Sequence, residues 1–211
     1  MKAFIINGSA RRSGSTAILC ECFSQGFTDS GGATSIACLG EAKIAHCRAC
    51  DVCRHIGKCA TIDDMQELTS RVLECDVLVM ASPSYWGDVT AQMKTFIDRS
   101  LPMCEHVAGK HVGEGKVGVS IAVRAGTDKG ENLHLVRCFE HYFGHLGIAP
   151  AGTLTVEGVS AVEHLTEQHK CSAFELGREI GRHHQCRTPT LPRTENATDR
   201  GRTKCQDGAA T

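Results

Sequence analysis

Short apolar runs alternate along the chain with longer segments that carry apolar residues at helical spacing. The short runs predict five β-strands, at residues 2–7, 33–39, 76–83, 116–123 and 148–156. The helical spacing predicts five helices, over residues 16–27, 65–74, 90–101, 132–147 and 161–184. Strands that alternate with helices are typical of a parallel sheet covered by helices on both faces. We therefore predict a doubly wound α/β domain over residues 1–184.

The composition changes from residue 185 onward. Residues 185–211 are rich in Thr, Arg, Pro and Gly and contain almost no large apolar side chains. A segment of this kind buries too little apolar surface to offset the entropy of ordering it. We expect this tail to be disordered.

The bulk composition narrows the class of protein. A chain of 211 residues can bury a substantial core without disulfide staples. Its net charge of -1 gives no reason to expect nucleic acid or an anionic membrane as a partner. No segment approaches the roughly 18 apolar residues of a spanning helix, and the N-terminal apolar run is too short for a secretory leader. We expect a cytoplasmic protein whose 13 cysteines are mostly reduced.

A polar loop, "NGSARRSGST" at residues 7–16, joins the first strand to the first helix. Backbone N–H groups and the helix dipole favour an anion at this position. Small residues there offer donors and close backbone approach: Ser9, Ser13, Gly14, Ser15 and Thr16. The loop matches neither the dinucleotide fingerprint nor the Walker A motif. A phosphate site and a plain turn that caps a helix both remain open.

A second loop follows the central strand, within residues 81–99, at the edge of the sheet where ligands of open α/β sheets bind. It contains Tyr85 and Trp86, the only tryptophan, next to Gly87. These residues are suited to lie flat against an aromatic ring system, but they could equally pack beneath the loop.

Four cysteines are concentrated in a loop at residues 46–60: Cys47, Cys50, Cys53 and Cys59. Gaps of two residues can direct successive thiolates to one iron–sulfur cubane. Zinc sites usually pair two C-x2-C units across a longer stretch, which is missing here, although His46 or His55 could replace a ligand. Disulfides are disfavoured in a reducing compartment. A cluster, a zinc ion and free thiols remain as alternatives.

Three segments, in order, carry a family resemblance. "GSARRSGST" resembles the flavin mononucleotide (FMN) phosphate loop of the NADPH-dependent FMN reductase and flavodoxin-like superfamily, commonly GSxRxxGNT. "SPSYWGDVTAQMKTFIDR" is similar to that superfamily's second flavin loop. "CRACDVCRHIGKCATIDDM" resembles the C-x2-C-x2-C-x(4 to 7)-C motif of its iron–sulfur flavoprotein branch. Ala10 and Ser15 depart from a frequent Pro and a frequent Asn, and both still permit phosphate donors.

The resemblance implies a flavodoxin-like sheet of order 2-1-3-4-5, FMN at the strand ends, a [4Fe-4S] cluster, and a homodimer or homotetramer. By position it implies these FMN-binding residues: Ser9, Arg11, Ser13, Gly14, Ser15, Thr16, Pro83, Ser84, Tyr85, Trp86, Gly87, Ala125 and Gly126. The pair Ala125 and Gly126 matches a third flavin loop by position alone. The implied cluster ligands are Cys47, Cys50, Cys53 and Cys59.

The implied activity is that of an FMN-dependent oxidoreductase. It would pass electrons between a [4Fe-4S] cluster, FMN and a small acceptor such as a quinone, dioxygen or peroxide, with ferredoxin or NAD(P)H as donor. We assign no catalytic side chain, since the cofactors carry the chemistry. The alternatives are a cluster-free NAD(P)H-dependent FMN or quinone reductase, a non-enzymatic electron carrier, and a zinc-stabilised interaction module.

Overall fold

The structure, a computed structural model, describes residues 1–185. It contains five strands: β1 Lys2–Asn7, β2 Ala33–Cys38, β3 Val77–Pro83, β4 Val117–Val123 and β5 Ala149–Val156. All neighbouring strands pair in parallel, in the order β2-β1-β3-β4-β5. The predicted fold class and strand order are confirmed. The tail expected to be disordered lies, from residue 186 on, outside the described residues.

Seven α-helices connect the strands of the described chain: α1 Ser15–Asp29, α2 Val52–Ile56, α3 Met65–Glu74, α4 Ala91–Arg99, α5 Glu105–Ala108, α6 Lys129–Leu146 and α7 Glu167–Gln185. Short 3-10 turns cover Leu101–Met103 and Val162–His164. The five predicted helices are present. The helices α2 and α5 were not predicted, because one turn or so of helix is too short to show apolar periodicity.

The last helix begins later than the predicted residue 161. Thr166 stops it from extending backward, since its Oγ1 accepts a hydrogen bond of 3.3 Å from the backbone N–H of His169. In return the Thr166 N–H donates to His169 Nδ1, also at 3.3 Å. This reciprocal pair is a capping box with histidine in the usual place of Glu or Gln.

Helices cover both faces of the sheet, as the alternation of side chains along β1 requires. Phe4 and Ile6 pack with α3, α4 and α6 on one face. Ala3 and Ile5 pack with α1 and α7 on the other. The central strands β3 and β4 are buried along nearly their whole length, so their sequences are continuous apolar runs.

The strand register brings three connecting loops to one edge of the sheet. Asn7, the last residue of β1, lies opposite Ala81 in β3. Pro83, the last residue of β3, lies opposite Val123 of β4, which in turn lies opposite Val156 of β5. The loops after β1, β3 and β4 therefore leave the sheet side by side.

Candidate functional site

These three loops, together with Val159 and Ser160 of the segment after β5, line a cavity of about 290 Å³, called here the three-loop cavity. Nine of the predicted FMN-binding residues line it: Ser9, Arg11, Gly14, Ser15, Thr16, Pro83, Ser84, Tyr85 and Ala125. Four others, Ser13, Trp86, Gly87 and Gly126, are not among its lining residues. Val123, Arg124, Val159 and Ser160 complete the lining and were not predicted. The volume is close to the lower end of the range for ligand sites, about 300 Å³.

The loop after β1 is a compact turn with its own hydrogen bonds. The buried Asn7 side chain accepts a bond of 3.0 Å from the Ser9 N–H, and Ser9 Oγ accepts one of 3.0 Å from the Arg11 N–H. Gly14 caps α1 without a side-chain hydrogen bond, and the first turn of α1 contains no acidic residue. The N-terminal N–H groups of α1 therefore border the cavity ready to receive an anion.

Thr90, the residue before α4, fixes this loop. Its hydroxyl donates a buried hydrogen bond of 2.6 Å to the carbonyl oxygen of Gly8, and its Oγ1 accepts one of 3.2 Å from the Met93 N–H. Gly8 is held further by a 2.7 Å bond from its N–H to the Ala81 carbonyl. One side chain thus caps α4 and positions the loop that borders the cavity.

The tip of the second loop is a tight turn. Tyr85 and Asp88 exchange backbone hydrogen bonds of 2.9 and 3.2 Å, and the two residues between them have positive φ, +57° at Trp86 and +78° at Gly87. A non-glycine residue in this region is strained, and such strain concentrates at ligand sites. The Trp86 side chain is fully exposed next to Tyr85, which lines the cavity.

Arg124 holds the third loop against the second. Its Nη2 lies 2.7 Å from Glu131 Oε2, and the same carboxylate oxygen accepts a 3.4 Å bond from Ser84 Oγ. Its backbone bonds to Val156 and Val159, both at 2.9 Å, join the loops after β4 and β5. The sequence did offer a signal for Arg124, since it directly follows a buried strand at the ligand edge.

The four cysteines of the loop at 46–60 lie around one pocket beside the C-terminal end of α4. Cys47 and Cys50 are exposed, while Cys53 and Cys59 are half-buried, and all four are free thiols. Ala49 and Asp51 adopt left-handed conformations with φ of 50° and 55°, which coil the backbone between the cysteines. The Ala49 N–H donates to Cys47 Sγ at 3.4 Å, a type of bond that also tunes cluster sulfurs.

Arg99, at the end of α4, closes this loop at its base. Its guanidinium pairs with both carboxylate oxygens of Asp63, at 2.8 and 2.9 Å. It also donates to the carbonyl oxygens of Ala45 and Thr61, which lie on either side of the loop. Asp63 completes the closure by accepting a 3.0 Å bond from the Ala45 N–H.

The same contacts set the pKa values around the pocket. Burial acts to raise the pKa of Cys59, but hydrogen bonds from the Thr61 backbone and Arg99 outweigh it and lower the pKa. Burial raises the pKa of Cys53, and the neighbouring thiols raise it further. A bound cation would relieve this repulsion, because metal ligation stabilises the thiolate form.

The family model of the NADPH-dependent FMN reductases matches residues 1–161. The chain belongs to this family. An iron–sulfur flavoprotein of Archaeoglobus fulgidus is 37% identical over 182 residues, which cover 85% of this chain and 79% of that protein. An iron–sulfur flavoprotein of Methanocaldococcus jannaschii is 30% identical over 148 residues, 69% of this chain and 73% of that protein. Among the FMN reductases, the chain falls in the iron–sulfur flavoprotein branch.

A solved structure shows the same fold at low sequence identity. The FMN-dependent NADH-azoreductase of Bacillus anthracis, solved with FMN, superposes with a TM-score of 0.66 at 13% identity and covers 86% of this chain and 100% of its own. The solved structure bears on the fold alone, while the family match and the iron–sulfur flavoprotein relatives identify the protein as an FMN-dependent redox flavoprotein and an oxidoreductase.

Proposed function

We propose that this oxidoreductase binds FMN in the three-loop cavity and a [4Fe-4S] cluster on Cys47, Cys50, Cys53 and Cys59, and passes electrons between them. When bound, FMN supplies two-electron hydride chemistry and one-electron release, while the cluster exchanges single electrons. The observation that carries the proposal is the convergence of all four thiols on one pocket.

The residues of the cavity fit FMN. The N-terminal turn of α1, with the hydroxyls of Ser15 and Thr16, would hold the phosphate. Tyr85 borders the cavity, and the exposed Trp86 ring beside it can move over a bound ring system. Arg11 adds positive charge near the phosphate.

The cysteine loop suits a cubane better than a zinc ion. In a tetrahedral zinc site neighbouring sulfurs lie about 3.8 Å apart. In the described structure, no three of these four sulfurs all lie within 4.8 Å of one another. A wider spread accommodates a cluster with one iron near each sulfur.

We infer that the physiological protein is a homodimer or homotetramer. The two proposed sites lie at opposite ends of α4, whose nine residues span about 13 Å. An apolar groove of about 690 Å³ flanks Cys59, and Ile62 on its rim is 91% exposed. A second copy that covered this groove would bury the apolar surface and bring one chain's cluster toward another chain's flavin.

The electron donor in this proposal is ferredoxin or NAD(P)H, and the acceptor is a quinone, dioxygen or peroxide. The cytoplasm remains the proposed compartment, since a reducing environment keeps thiols available as cluster ligands. Within residues 1–185, no helix combines the length and the apolar character needed to cross a bilayer.

The deciding experiment measures iron, acid-labile sulfide and FMN per chain on protein purified without oxygen. We expect about four iron and four sulfide per chain, as a single cubane requires. Cys50→Ser should lose both, while Cys171→Ser, which removes an exposed thiol outside the loop, should retain them. Bound FMN with negligible iron in the wild type would reject the cluster and leave a cluster-free FMN or quinone reductase.

A further inference from the structure

A group of histidines and one glutamate lies at the edge of the sheet opposite the cavity. Glu105 and His106 belong to the short helix α5, and His145 lies near the end of α6. Their ligand atoms all lie within 4.8 Å of one another. We call these three residues the His–Glu cluster. The 18 residues of α6 separate it from the flavin edge by about 27 Å.

One oxygen of Glu105 is shared by both histidines of the cluster. Oε1 lies 3.5 Å from His106 Nε2 and 4.0 Å from His145 Nδ1. Ligand atoms around a tetrahedral zinc ion are about 3.4 Å apart, so small side-chain rotations would bring all three atoms to one ion. Two imidazoles with one carboxylate form a common zinc ligand set.

Neighbouring side chains support this geometry. His111 Nδ1 lies 3.1 Å from the other oxygen of Glu105, Oε2, and can orient the carboxylate so that Oε1 faces the two histidines. His141 lies one helical turn before His145, with their Nε2 atoms 3.2 Å apart. The Cys104 thiol lies 3.9 Å from His145 Nδ1.

We propose that Glu105, His106 and His145 form a zinc site that fastens the connection between α4 and β4 to the end of α6. The site is separate from the four-cysteine loop and from the flavin cavity, and neither cofactor depends on it. Its effect is structural, because it crosslinks a segment held otherwise by few buried side chains.

The test is equilibrium dialysis of the full-length, chelator-treated protein against zinc chloride, followed by a count of bound zinc per chain. His145→Ala and Glu105→Gln should each bind about one zinc ion fewer than the wild type. His134→Ala, which removes an exposed histidine of the same helix, should bind as much as the wild type. Zinc held by the cysteine loop would contribute equally to all four proteins and cancels in the difference.

The melting temperature gives a second readout. Zinc is added at about a hundred times its dissociation constant, and the rise in Tm that it causes is measured for each protein. This rise should be larger in the wild type than in either cluster variant, by at least about 5 °C. Should His145→Ala fail to fold, Glu105→Gln decides, since it keeps the shape of the side chain. Equal zinc content in the wild type and both cluster variants would overturn the proposal. So would a result in which a Cys47→Ser variant binds less zinc than the wild type while His145→Ala and Glu105→Gln bind as much.

Discussion

Arg99 and Asp63 form a two-point ion pair, 2.8 and 2.9 Å, in which the arginine side chain is only 2% exposed. The pair joins the end of α4 to the start of α3, and between these helices it closes the base of the cysteine loop. The net attraction in a buried ion pair is small, because desolvation of the two charges offsets it. Loss of one partner is nevertheless costly, because it leaves the other charge buried and unpaired.

Asp63→Asn should therefore destabilise the protein strongly. It leaves the guanidinium buried without its counter-charge, at a cost of about 3 kcal/mol in the free energy of unfolding. Urea denaturation of the apoprotein would measure this. Asp98→Asn is the matched control, because it breaks an exposed pair with Lys94 and should cost less than about 0.5 kcal/mol. Equal costs for the two variants would contradict the structural role of the pair.

The same substitution should loosen the proposed cluster without affecting the flavin. When Asp63 is lost, Arg99 no longer holds Ala45 and Thr61 at fixed positions, so the loop between them opens more often. Loss of iron to an added chelator should become about tenfold faster in Asp63→Asn, as for other residues that orient metal ligands. Bound FMN per chain should stay at the wild-type level. A parallel loss of FMN would mean that the whole fold, and not the loop, has been weakened.

The Asp63 pair also predicts a pH dependence of stability. Burial opposes ionisation of Asp63, but hydrogen bonds from Arg99 and from backbone N–H groups outweigh it and lower its pKa. The contribution of a carboxylate with a lowered pKa is complete above its unfolded value, about 3.9, and is lost as the pH falls through the folded value. The stability difference between wild type and Asp63→Asn should thus be constant above about pH 5 and shrink below about pH 4. A difference that grew in acid would refute this assignment.

Thr90→Ala should weaken FMN binding. The substitution removes the hydrogen bond to the Gly8 carbonyl, which fixes the proposed phosphate loop, and the cap of α4. A lost buried hydrogen bond of about 1.4 kcal/mol corresponds to a tenfold higher Kd for FMN, measurable by fluorescence titration. Thr166→Ala removes a comparable cap from α7, and its Kd should remain that of the wild type. If both variants lose affinity equally, the effect arises from general stability.

The strands and long helices could be predicted from the sequence because their signals are local. Apolar runs and helical spacing mark each element within its own residues. The strand order has no such local signal, because β1 lies between β2 and β3. Its correct prediction came from the family resemblance alone. The contact between Thr90 and Gly8 also escaped prediction, because it joins residues far apart in the chain.

Arg99 shows a signal that was present but not used. The buried residues of α4 are Met93, Phe96 and Arg99, which repeat at a spacing of three. A charged residue on the apolar face of an amphipathic helix requires a buried partner, and the acidic residues before α3 were available as partners. Asp63 stands just before α3, where an acidic residue is common, so its pairing with Arg99 became visible only once α3 and α4 were side by side.

The packing of α1 against α7 supports a last prediction, away from either site. A Cβ added at Gly177 would lie 2.1 Å from the Phe23 carbonyl oxygen of α1, a contact that backbone atoms cannot relieve by rotation. Gly177→Ala should push the helices apart and lower the free energy of unfolding by about 3 kcal/mol. Gly144→Ala is the control, since a Cβ at Gly144 in α6 meets nothing within 4 Å. It should stabilise the helix by about 0.5–1 kcal/mol, as alanine is the better helix former. Urea denaturation should therefore show a decrease in the free energy of unfolding for Gly177→Ala and an increase for Gly144→Ala. An increase for both would show that helix propensity, and not contact between α1 and α7, governs position 177.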